Sequence, residues 1–513
     1  MDALPAELLR LIFDNCDPPS VRALRLTSGR LADVGYDYLL PPSFRAVEME
    51  WRDDVQRLHS IAHHDRLNRS IKSITFNFAK LDDFRIIRPD SFFPEEQPIV
   101  LQDAVVQQIA WGKSLLPPFH TRSAMVEESF KRLPNLQHLE ITYTKCPYSA
   151  TQIYNNDSGF LVRNPRKRDT ASRAQACKTM NAIISAVRHV SLSSLVIDQL
   201  PLEIFRLPDD RRHWFDCCAS SFSSLSRLEL TIDPPANLMP QSRFKAINGL
   251  GHVLQLSPNL THLSLSFHTY HAPSSKFGFS FRALLQDFTF TKLTSLKLEG
   301  VSCSEEDLRS FLLRHAKTLE RLRLGGRGLA KPYELSSGGV HLHEGSFKSL
   351  FASLQGKLPK LERLHLEGDL EAGDIRTGAR MRETFKFHAS VDEDWEDLLV
   401  DDVSGEGAEG GEGFDGRRAG RVVMQHGKTM DSSALERYLI HGGPFPRLLA
   451  PGGAAAMASG SSTTGSSSSS ASSSAASSEA GSPGPTSPEL GPVTSVSAGP
   501  GMTVGPPATA IAV

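Results

Sequence analysis

One six-residue pattern, apolar-x-x-apolar-x-apolar, constrains the fold of this chain more than any other feature of its sequence. The second half of the pattern, apolar-x-apolar, has the period of a short β-strand with one buried face. The central anchors Leu195, Leu228, Leu263, Leu296 and Leu322 are separated by 33, 35, 33 and 26 residues. The copies are SIKSITF (70–76), LPNLQHLEI (133–141), LSSLVI (192–197), LSRLEL (225–230), LSPNLTHLSL (256–265), LTSLKL (293–298), LERLRL (319–324) and LPKLERLHL (358–366).

Helical patterns occupy the intervals between these strands. Ser304 and Asp307 have the spacing of a capping box, and Leu308, Phe311 and Leu312 then share one helix face. A unit of one strand and one helix is too small to fold alone, so such units are expected to stack into a solenoid. The intervals are longer and less regular than in a standard leucine-rich repeat, so we predict an irregular α/β repeat domain with insertions. An open sheet with ordinary β/α alternation is the alternative.

Two segments have compositions that predict no packed core. Residues 451–513 contain two charged residues, Glu479 and Glu489, and no aromatic residue. Their Ser, Ala, Gly, Pro and Thr side chains bury too little apolar area to offset the entropy of ordering the backbone, which predicts a disordered tail. Residues 392–420 are acidic and Gly-rich and predict a solvated loop. A basic cluster in another predicted loop indicates either a solvated run or a nuclear-import signal, and it comprises Arg163, Arg166, Lys167 and Arg168.

The overall composition argues against several classes of protein. Lys and Arg total 56 against 58 Asp and Glu, so no excess of positive charge favours general nucleic-acid binding. The six cysteines are far apart or directly adjacent, which favours free thiols in a reducing compartment over a disulfide framework. The start, MDALPAELLRLIF, has Asp2 and Glu7 where a signal peptide would carry Lys or Arg, and no apolar run reaches the roughly 20 residues of a membrane span. We therefore predict a cytoplasmic location, a nuclear location or both, with no membrane and no nucleic acid as partner.

The first forty residues carry a separate pattern of three short helices. Pro5 suits the first turn of a helix that is predicted to run to about Cys16, and Asp17 can cap a second helix. Gly29 is predicted to end the second helix, before a third helix that contains Leu31, Val34 and Tyr38.

The first of these helices is apolar on two sides. Leu8, Leu11 and Ile12 form one side, whereas Leu9, Phe13 and Cys16 form the other. One side can build a small core, and the other requires either a partner protein or the next domain.

The string LPAELLRLIFDNCDPPSVRALRLTSGRLADV resembles the F-box motif, which reads Leu-Pro-x-Glu-Leu, an Ile four residues later, and then a second helix rich in Leu and Arg. The string departs from that motif at Val21, at Thr27-Ser28 and at Leu31. Later segments such as PPSFRAVEME, LRSFLLRHAKTLERLRLGG, WEDLL and LERYLIHGGPFPRLL look like those of filamentous-fungal F-box proteins. The resemblance implies an F-box over residues 1–42 and an irregular leucine-rich-repeat-like domain over residues 43–450. The matching positions are Leu4, Pro5, Glu7, Leu8, Ile12, Leu24, Leu26 and Arg30.

This resemblance implies that the chain is the substrate receptor of a Skp–cullin–F-box ubiquitin ligase. The F-box would bind a Skp-family adaptor, and through it cullin, while the repeats would hold a client protein. Such a receptor supplies proximity and orientation and requires no nucleophile of its own. The same residues also allow a leucine-rich-repeat scaffold that acts without cullin, whereas a hydrolase has no constellation of residues in its favour. The expected adaptor-binding residues are Leu4, Pro5, Leu8, Ile12 and Leu24.

Polar residues beside the apolar anchors are the candidates for client binding. Because side chains alternate along a strand, these residues are predicted to point away from the core. Their mixed charges favour a specific protein surface over a nucleic-acid tract. The candidates are Glu229, Lys297, Arg323, Glu362 and His365.

Other motifs offer weaker signs of chemistry. His59 and His63 have the i, i+4 spacing of zinc ligands, but Ser60 stands where a zinc protease helix needs Glu. The HLHE segment at 341–344 could place two metal ligands on one face of a strand, but the sequence shows no cluster that would supply further ligands. The adjacent cysteines at 217–218 lack C-x-x-C spacing, GEGAEGGEG lacks the Lys-Ser/Thr ending of a phosphate-binding loop, and no G-x-S-x-G motif occurs. We therefore predict no catalytic residue, no metal and no cofactor.

Overall fold

The structure of the chain is a computed structural model. Several sequence predictions fall outside the residues that it describes: the tail (451–513), the acidic segment (392–420), the cysteines at 217–218 and the basic positions 166–168. The described residues are 4–47, 53–87, 97–112, 119–148, 152–153, 161–163, 170–206, 219–235, 238–269, 276–285, 287–326, 328, 338–373, 383–387 and 432–445.

Helices and strands alternate along most of the described chain. The helices are α1 (Ala6–Asp14), α2 (Pro18–Arg25), α3 (Gly29–Val34), α4 (Asp54–Ala62), α5 (Asp103–Gly112), α6 (Ser123–Lys131), α7 (Thr170–Val187), α8 (Ala219–Ser223), α9 (Pro240–Gln255), α10 (Phe281–Leu285), α11 (Glu305–Arg314), α12 (Phe347–Leu354) and α13 (Ser432–His441). Short 3-10 helices cover Gly35–Tyr38, Leu67–Arg69, Leu81–Asp83, Phe119–Arg122 and Leu202–Phe205. Within the described ranges, no helix is both long and apolar enough to cross a membrane.

The strands belong to three sheets. They are β1 (Ser43–Val47), β2 (Ser73–Asn77), β3 (Arg85–Ile87), β4 (Gln97–Pro98), β5 (His138–Thr142), β6 (Leu161–Arg163), β7 (Ser194–Pro201), β8 (Arg227–Asp233), β9 (His262–Phe267), β10 (Phe277–Gly278), β11 (Ser295–Glu299), β12 (Val301–Ser304), β13 (Arg321–Leu324), β14 (Val340–Glu344), β15 (Arg363–Leu366), β16 (Gly368–Ala372) and β17 (Glu383–Phe387).

The largest sheet of the described chain has nine strands in the order β1-β2-β5-β7-β8-β9-β11-β13-β15. Each neighbouring pair is parallel, and the order across the sheet follows the order along the chain. All eight strands that the apolar pattern predicts are present in this sheet, while β1 is an addition that the pattern did not predict. The fold is therefore α/β, with parallel sheets and helices.

The apolar anchors form continuous rows across this sheet. Leu228 pairs with Leu263, Leu263 with Leu296, and Leu296 with Leu322, and all of them are buried. The helices contribute their apolar faces to the same core, which confirms the predicted face of α11 with Leu308 among its buried residues. Each fully buried leucine of this kind contributes about 1.5–3 kcal/mol of transfer free energy to folding.

A ladder of hydroxyl groups joins the beginnings of successive strands. Thr261 and His262 both donate their backbone N–H groups to the carbonyl of Ser226, at 2.8 and 2.9 Å, and the hydroxyl of Thr261 donates to the same oxygen at 2.9 Å. The hydroxyl of Ser226 donates to the Ser193 carbonyl at 3.0 Å, and that of Thr294 to the Thr261 carbonyl at 3.1 Å. This ladder fixes the register of neighbouring strands, and it explains why Ser or Thr follows the first leucine of four successive copies.

A second sheet, β10-β12-β14-β16-β17, lies beyond a corner at the end of the main strands. The chain turns from β11 into β12 at Gly300, whose φ is +67°. A Cβ atom there would lie 2.1 Å from the carbonyl oxygen of Phe267, so only glycine fits the turn. Neither this sheet nor the small antiparallel sheet β4-β3-β6 was predicted from the sequence.

The N-terminal residues form a small helical module, α1–α3 with the following 3-10 helix. Its core consists of Leu9, Phe13, Val21 and Leu31. Asp17 caps α2 as predicted, because its carboxylate accepts the backbone N–H of Ser20 at 3.1 Å.

Two predicted boundaries of this module are wrong. The first helix ends at Asp14 instead of near Cys16, where the side-chain amide of Asn15 donates to the Leu11 carbonyl at 2.8 Å. The second helix ends at Arg25, and Gly29 is the first residue of α3 instead of the terminator of α2. The reason is local capping: Ser28 accepts the backbone N–H of Leu31 and thereby starts a new helix before Gly29.

Candidate protein-interaction surfaces

The first helix presents apolar side chains to solvent. Leu9 and Phe13 fill the core of the helical module, whereas Leu8 and Leu11 on the other side are 46% and 58% exposed. Residues three apart share one face of a helix, so these two leucines form an adjacent pair. We call Leu8 and Leu11 the α1 pair. Neither leucine belongs to the buried core clusters of the described residues or to the partly buried residues packed against them.

The remaining expected adaptor-binding residues occupy two kinds of position. Pro5 is exposed at the N-terminal cap of α1. Leu4, Ile12 and Leu24 are half-buried and pack against the core of the helical module, so part of each side chain is already used for folding. The structure adds Leu26, which follows α2 and is 90% exposed.

Aromatic and charged groups join the helical module to the first strand–helix unit. Arg66 forms ion pairs with Asp33 at 2.7 Å and Asp37 at 3.2 Å. Its guanidinium also lies 4.5 Å from the ring centre of Tyr36, whose hydroxyl is 2.8 Å from Nε2 of His64. Several contacts of different kinds therefore hold the module against the residues that follow α4.

Four of the five client-binding candidates lie in one row across the polar face of the main sheet. Glu229 pairs with Ser264, Ser264 with Lys297, Lys297 with Arg323, and Arg323 with His365. All four candidates in this row are partly exposed, whereas the leucines on either side of them are buried. Glu362 is exposed but precedes β15, so it lies outside the row.

Two buried carboxylates, which the sequence analysis did not single out, lie beside this row on the same side of the sheet, two residues after Lys297 and two residues after His365. Glu299 approaches Lys297 at 3.3 Å and His268 at 3.4 Å, and it accepts the hydroxyl of Ser266 at 3.0 Å and the backbone N–H of Gly328 at 2.7 Å. Burial alone would raise the pKa of Glu299, but the charge of Lys297 and the contact with His268 outweigh it and hold the pKa well below its usual value. Glu299 is therefore ionised at neutral pH.

Glu367 has the same position relative to the leucines of its copy, immediately after the end of β15, and the same kind of surroundings. It forms ion pairs with Arg323 at 2.7 Å and with His365 at 3.5 Å. Burial acts to raise its pKa, yet the contact with His365 and the charge of Arg323 lower it on balance. The recurrence of Leu-x-Leu-Glu-Gly at 296–300 and 364–368 is the sequence signal for these two carboxylates.

Ion pairs therefore organise the candidate row before any partner binds. Lys297, Arg323 and His365 are anchored by the buried carboxylates, and Glu229 is paired with Arg227 at 2.5 Å. Side chains that are held in this way lose less conformational entropy when a partner binds.

The candidate metal ligands are used for other contacts. Nδ1 of His63 lies 2.8 Å from the carbonyl oxygen of His59. Nδ1 of His341 lies 2.7 Å from the Ser302 hydroxyl, and its Nε2 lies 2.9 Å from the Gly373 carbonyl oxygen, so both ring nitrogens have partners. Among the residues that the structure describes, no three His, Cys, Asp or Glu side chains are grouped so that they could hold a metal ion.

Comparison of the chain with models of known protein families gives no match, and comparison with curated proteins gives no match either.

Proposed function

We propose that this chain is an F-box protein that acts as the substrate-recognition subunit of a Skp–cullin–F-box ubiquitin ligase. In this proposal the helical module binds a Skp-family adaptor, and the polar face of the main sheet binds a client protein. The chain itself contributes no catalytic residue and no cofactor, because other subunits of the ligase transfer ubiquitin. Its location would be cytoplasmic, nuclear or both.

One observation carries the adaptor part of the proposal, namely the exposure of the α1 pair. The helical module completes its own core with Leu9 and Phe13 and still presents Leu8 and Leu11 to solvent. Apolar side chains grouped on one exposed helix face are typical of protein interfaces. They occur in the part of the sequence that resembles the F-box motif.

The sheet order supports an irregular leucine-rich-repeat-like solenoid for the remaining residues. In a doubly wound open sheet the strand order reverses at a switch point. Here nine strands run in chain order without reversal, and neighbouring copies contact through equivalent positions. A stack of this kind exposes a long polar face, which suits a client-binding role.

A cullin-independent scaffold is the second candidate, and it rests on the same polar face and the same α1 pair. The two proposals differ in the proteins that the chain captures. Purified full-length chain should be immobilised and mixed with a Skp-family adaptor, with and without cullin. Joint capture of adaptor and cullin supports the receptor, and capture of the adaptor alone supports the scaffold. If a folded chain captures neither protein, both proposals are wrong.

A further inference from the structure

An open cleft of about 810 Å³ lies where the helical module meets the first strand–helix unit, and we call it the junction cleft. One wall comes from the end of α1, the start of α2 and the 3-10 helix that follows α3. The other wall comes from the segment between α4 and β2, and the loop that leads into β1 completes the lining. Sites for small ligands commonly lie between structural units and have volumes of ~300–1,000 Å³, so the junction cleft has the size of such a site.

The wall before β2 carries two cations without a carboxylate partner. Arg69 and Lys72 are both exposed and line the cleft. Among the residues that the structure describes, no Asp or Glu lies within ion-pair distance of either side chain. Arg66 lines the cleft as well, but it is already paired with Asp33 and Asp37. Arg69 and Lys72 are therefore available to bind an anion.

Hydrogen bonds fix the backbone that carries these two cations. The backbone N–H of Lys72 donates to the Pro42 carbonyl at 2.8 Å. The side-chain amide of Asn135, in the loop before β5, donates to the Arg69 carbonyl at 2.7 Å. Only the two side chains must therefore be ordered when a ligand binds, which keeps the entropic cost of binding small.

The module wall supplies a carboxylate and an apolar surface. The carboxylate of Asp14 accepts a hydrogen bond from the Tyr38 hydroxyl, and the Tyr38 ring stacks on Phe13 with the ring centres 5.4 Å apart. Burial raises the pKa of Tyr38 and the charge of Asp14 raises it further, so this hydroxyl keeps its proton at neutral pH. A carboxylate has about four acceptor positions, so Asp14 can accept further hydrogen bonds from a ligand. Pro18 and Pro41 add exposed apolar surface.

This combination of groups does not suit a simple anion. Asp14 and Asp37 would repel a free phosphate or carboxylate, and the apolar surface would remain uncovered. A suitable ligand has negative charge at one end, hydroxyl groups in the middle and a flat apolar ring at the other end. Nucleoside phosphates have this composition, and carboxylates bind ribose hydroxyl groups in other nucleotide sites.

We propose that the junction cleft binds a nucleoside diphosphate. The two phosphates would lie against Arg69 and Lys72, which suit a doubly charged group because both are unpaired. The ribose hydroxyl groups would donate to Asp14, and the base would cover the apolar surface around Tyr38. Neither the adaptor nor a client takes part in this binding, so the proposal goes beyond the proposed function.

The test is a calorimetric titration of the full-length chain in the absence of divalent metal ions. The probes are ADP and UDP, which carry a large and a small base. The comparison ligands are the matching nucleoside, which lacks the phosphates, and inorganic pyrophosphate, which lacks the nucleoside. We expect at least one nucleotide to bind and each of its parts to bind at least tenfold more weakly.

Three results of this titration would overturn the proposal. They are the absence of binding by both nucleotides, binding of pyrophosphate as tight as that of the nucleotide, and tighter binding of a single-stranded oligonucleotide. The second result would identify a plain anion site, and the third would identify a nucleic-acid surface.

The decisive variant is Arg69→Gln with Lys72→Gln, which removes both unpaired charges and keeps long polar side chains. It should bind the nucleotide at least tenfold more weakly, while its Tm stays unchanged because neither charge has an ion-pair partner among the described residues. The matched control, Arg282→Gln with Lys348→Gln, removes an exposed arginine and an exposed lysine from α10 and α12. The control should bind within twofold of the original chain, and equal affinities of the two double variants would contradict the assigned site.

Asp14→Ala separates a nucleotide site from a plain anion site. If Asp14 accepts the ribose hydroxyl groups, its loss should weaken nucleotide binding at least threefold and should not weaken pyrophosphate binding. An unchanged or higher affinity for the nucleotide would mean that Asp14 only repels anions, and the nucleotide assignment would be wrong. Adaptor capture is measured separately on the same variants, so failure of the receptor proposal can be distinguished from failure of this one.

Discussion

The α1 pair gives the sharpest quantitative prediction. Leu8→Ala with Leu11→Ala removes two side chains that are 46% and 58% exposed. Complete burial of a leucine is worth about 1.5–3 kcal/mol, so an adaptor that covers the exposed parts would gain about 1.6–3.1 kcal/mol from the pair. A factor of ten in Kd corresponds to about 1.4 kcal/mol, so the double variant should bind the adaptor about 15- to 200-fold more weakly.

The assay is a titration of the full-length chain with a purified Skp-family adaptor, in which calorimetry or fluorescence anisotropy measures the Kd. Thermal unfolding of the free double variant is the folding control, and its Tm should change little because neither leucine belongs to the module's core. Leu9→Ala provides the contrast: Leu9 is fully buried, so its truncation should cost the module about 2–5 kcal/mol of unfolding free energy.

Two results would refute this reasoning. If the folded double variant binds the adaptor with less than a threefold loss, the exposed face of α1 is not the interface. If the double variant lowers stability as strongly as Leu9→Ala does, the α1 pair is part of the folded core, and its exposure carries no functional meaning.

Three further predictions concern the fold and are checked by denaturant unfolding. Gly300→Ala should lower the free energy of unfolding by more than about 2 kcal/mol, because the new Cβ meets the Phe267 carbonyl at a positive φ. Gly356→Ala, where φ is also positive but the space is open, should lower it by only about 1 kcal/mol. Equal losses would refute the steric argument. Thr261→Val should cost about 1 kcal/mol by removing the hydroxyl that donates to Ser226, and no loss would show that the ladder contributes nothing. The hydrogen bond from Arg188 lowers the pKa of Glu127 to about 2, against an unfolded value of 4.5. Between these two pH values the folded state therefore binds fewer protons than the unfolded state. The resulting stabilisation is present above about pH 4.5 and is lost as the pH falls towards 2. Allowing for solvent screening, Glu127→Gln should lower the free energy of unfolding by about 1–2 kcal/mol at neutral pH. A loss of the same size in acid would contradict the assignment.

The main sheet could be predicted from the sequence because each strand repeats one local pattern. Leucines at every second position need a buried face, and they also fix where each strand begins. The strand β1 was missed because its apolar residues, Phe44 and Ala46, lack the leucine pattern. The second sheet was missed for a different reason: β12, β14 and β16 contain at most one leucine each, and their direction depends on the corner at Gly300.

The candidate surfaces were only partly predictable. Strand alternation correctly orients Lys297 and Arg323, because it depends on backbone geometry alone. The buried Glu299 could not be assigned in this way, since its ionised state depends on Ser266 and His268 from distant parts of the sequence. For the helical module, the spacing of apolar residues along α1 shows that this helix has two apolar faces, and only the packing of the folded module shows which of them is buried.

The separation of core rows from polar rows has a consequence for function. In β8, the anchor Leu228 packs in the core, while Arg227 before it and Glu229 after it face the polar side. The leucine rows and the hydroxyl ladder hold the register, so the polar positions are not required for strand pairing. Apart from β11, where Ser295 is buried, each strand of the main sheet therefore contributes two partly or fully exposed side chains to this face. These positions can vary without a change in fold, as they do among serine, threonine, valine, histidine, arginine, glutamate and lysine. A variant such as Arg321→Ser with Arg363→Ser should accordingly keep its Tm within a few degrees of the original, as measured by thermal unfolding. A large loss of Tm would mean that these two arginines stabilise the fold, and the assignment of the leucine face to folding and the polar face to binding would be wrong.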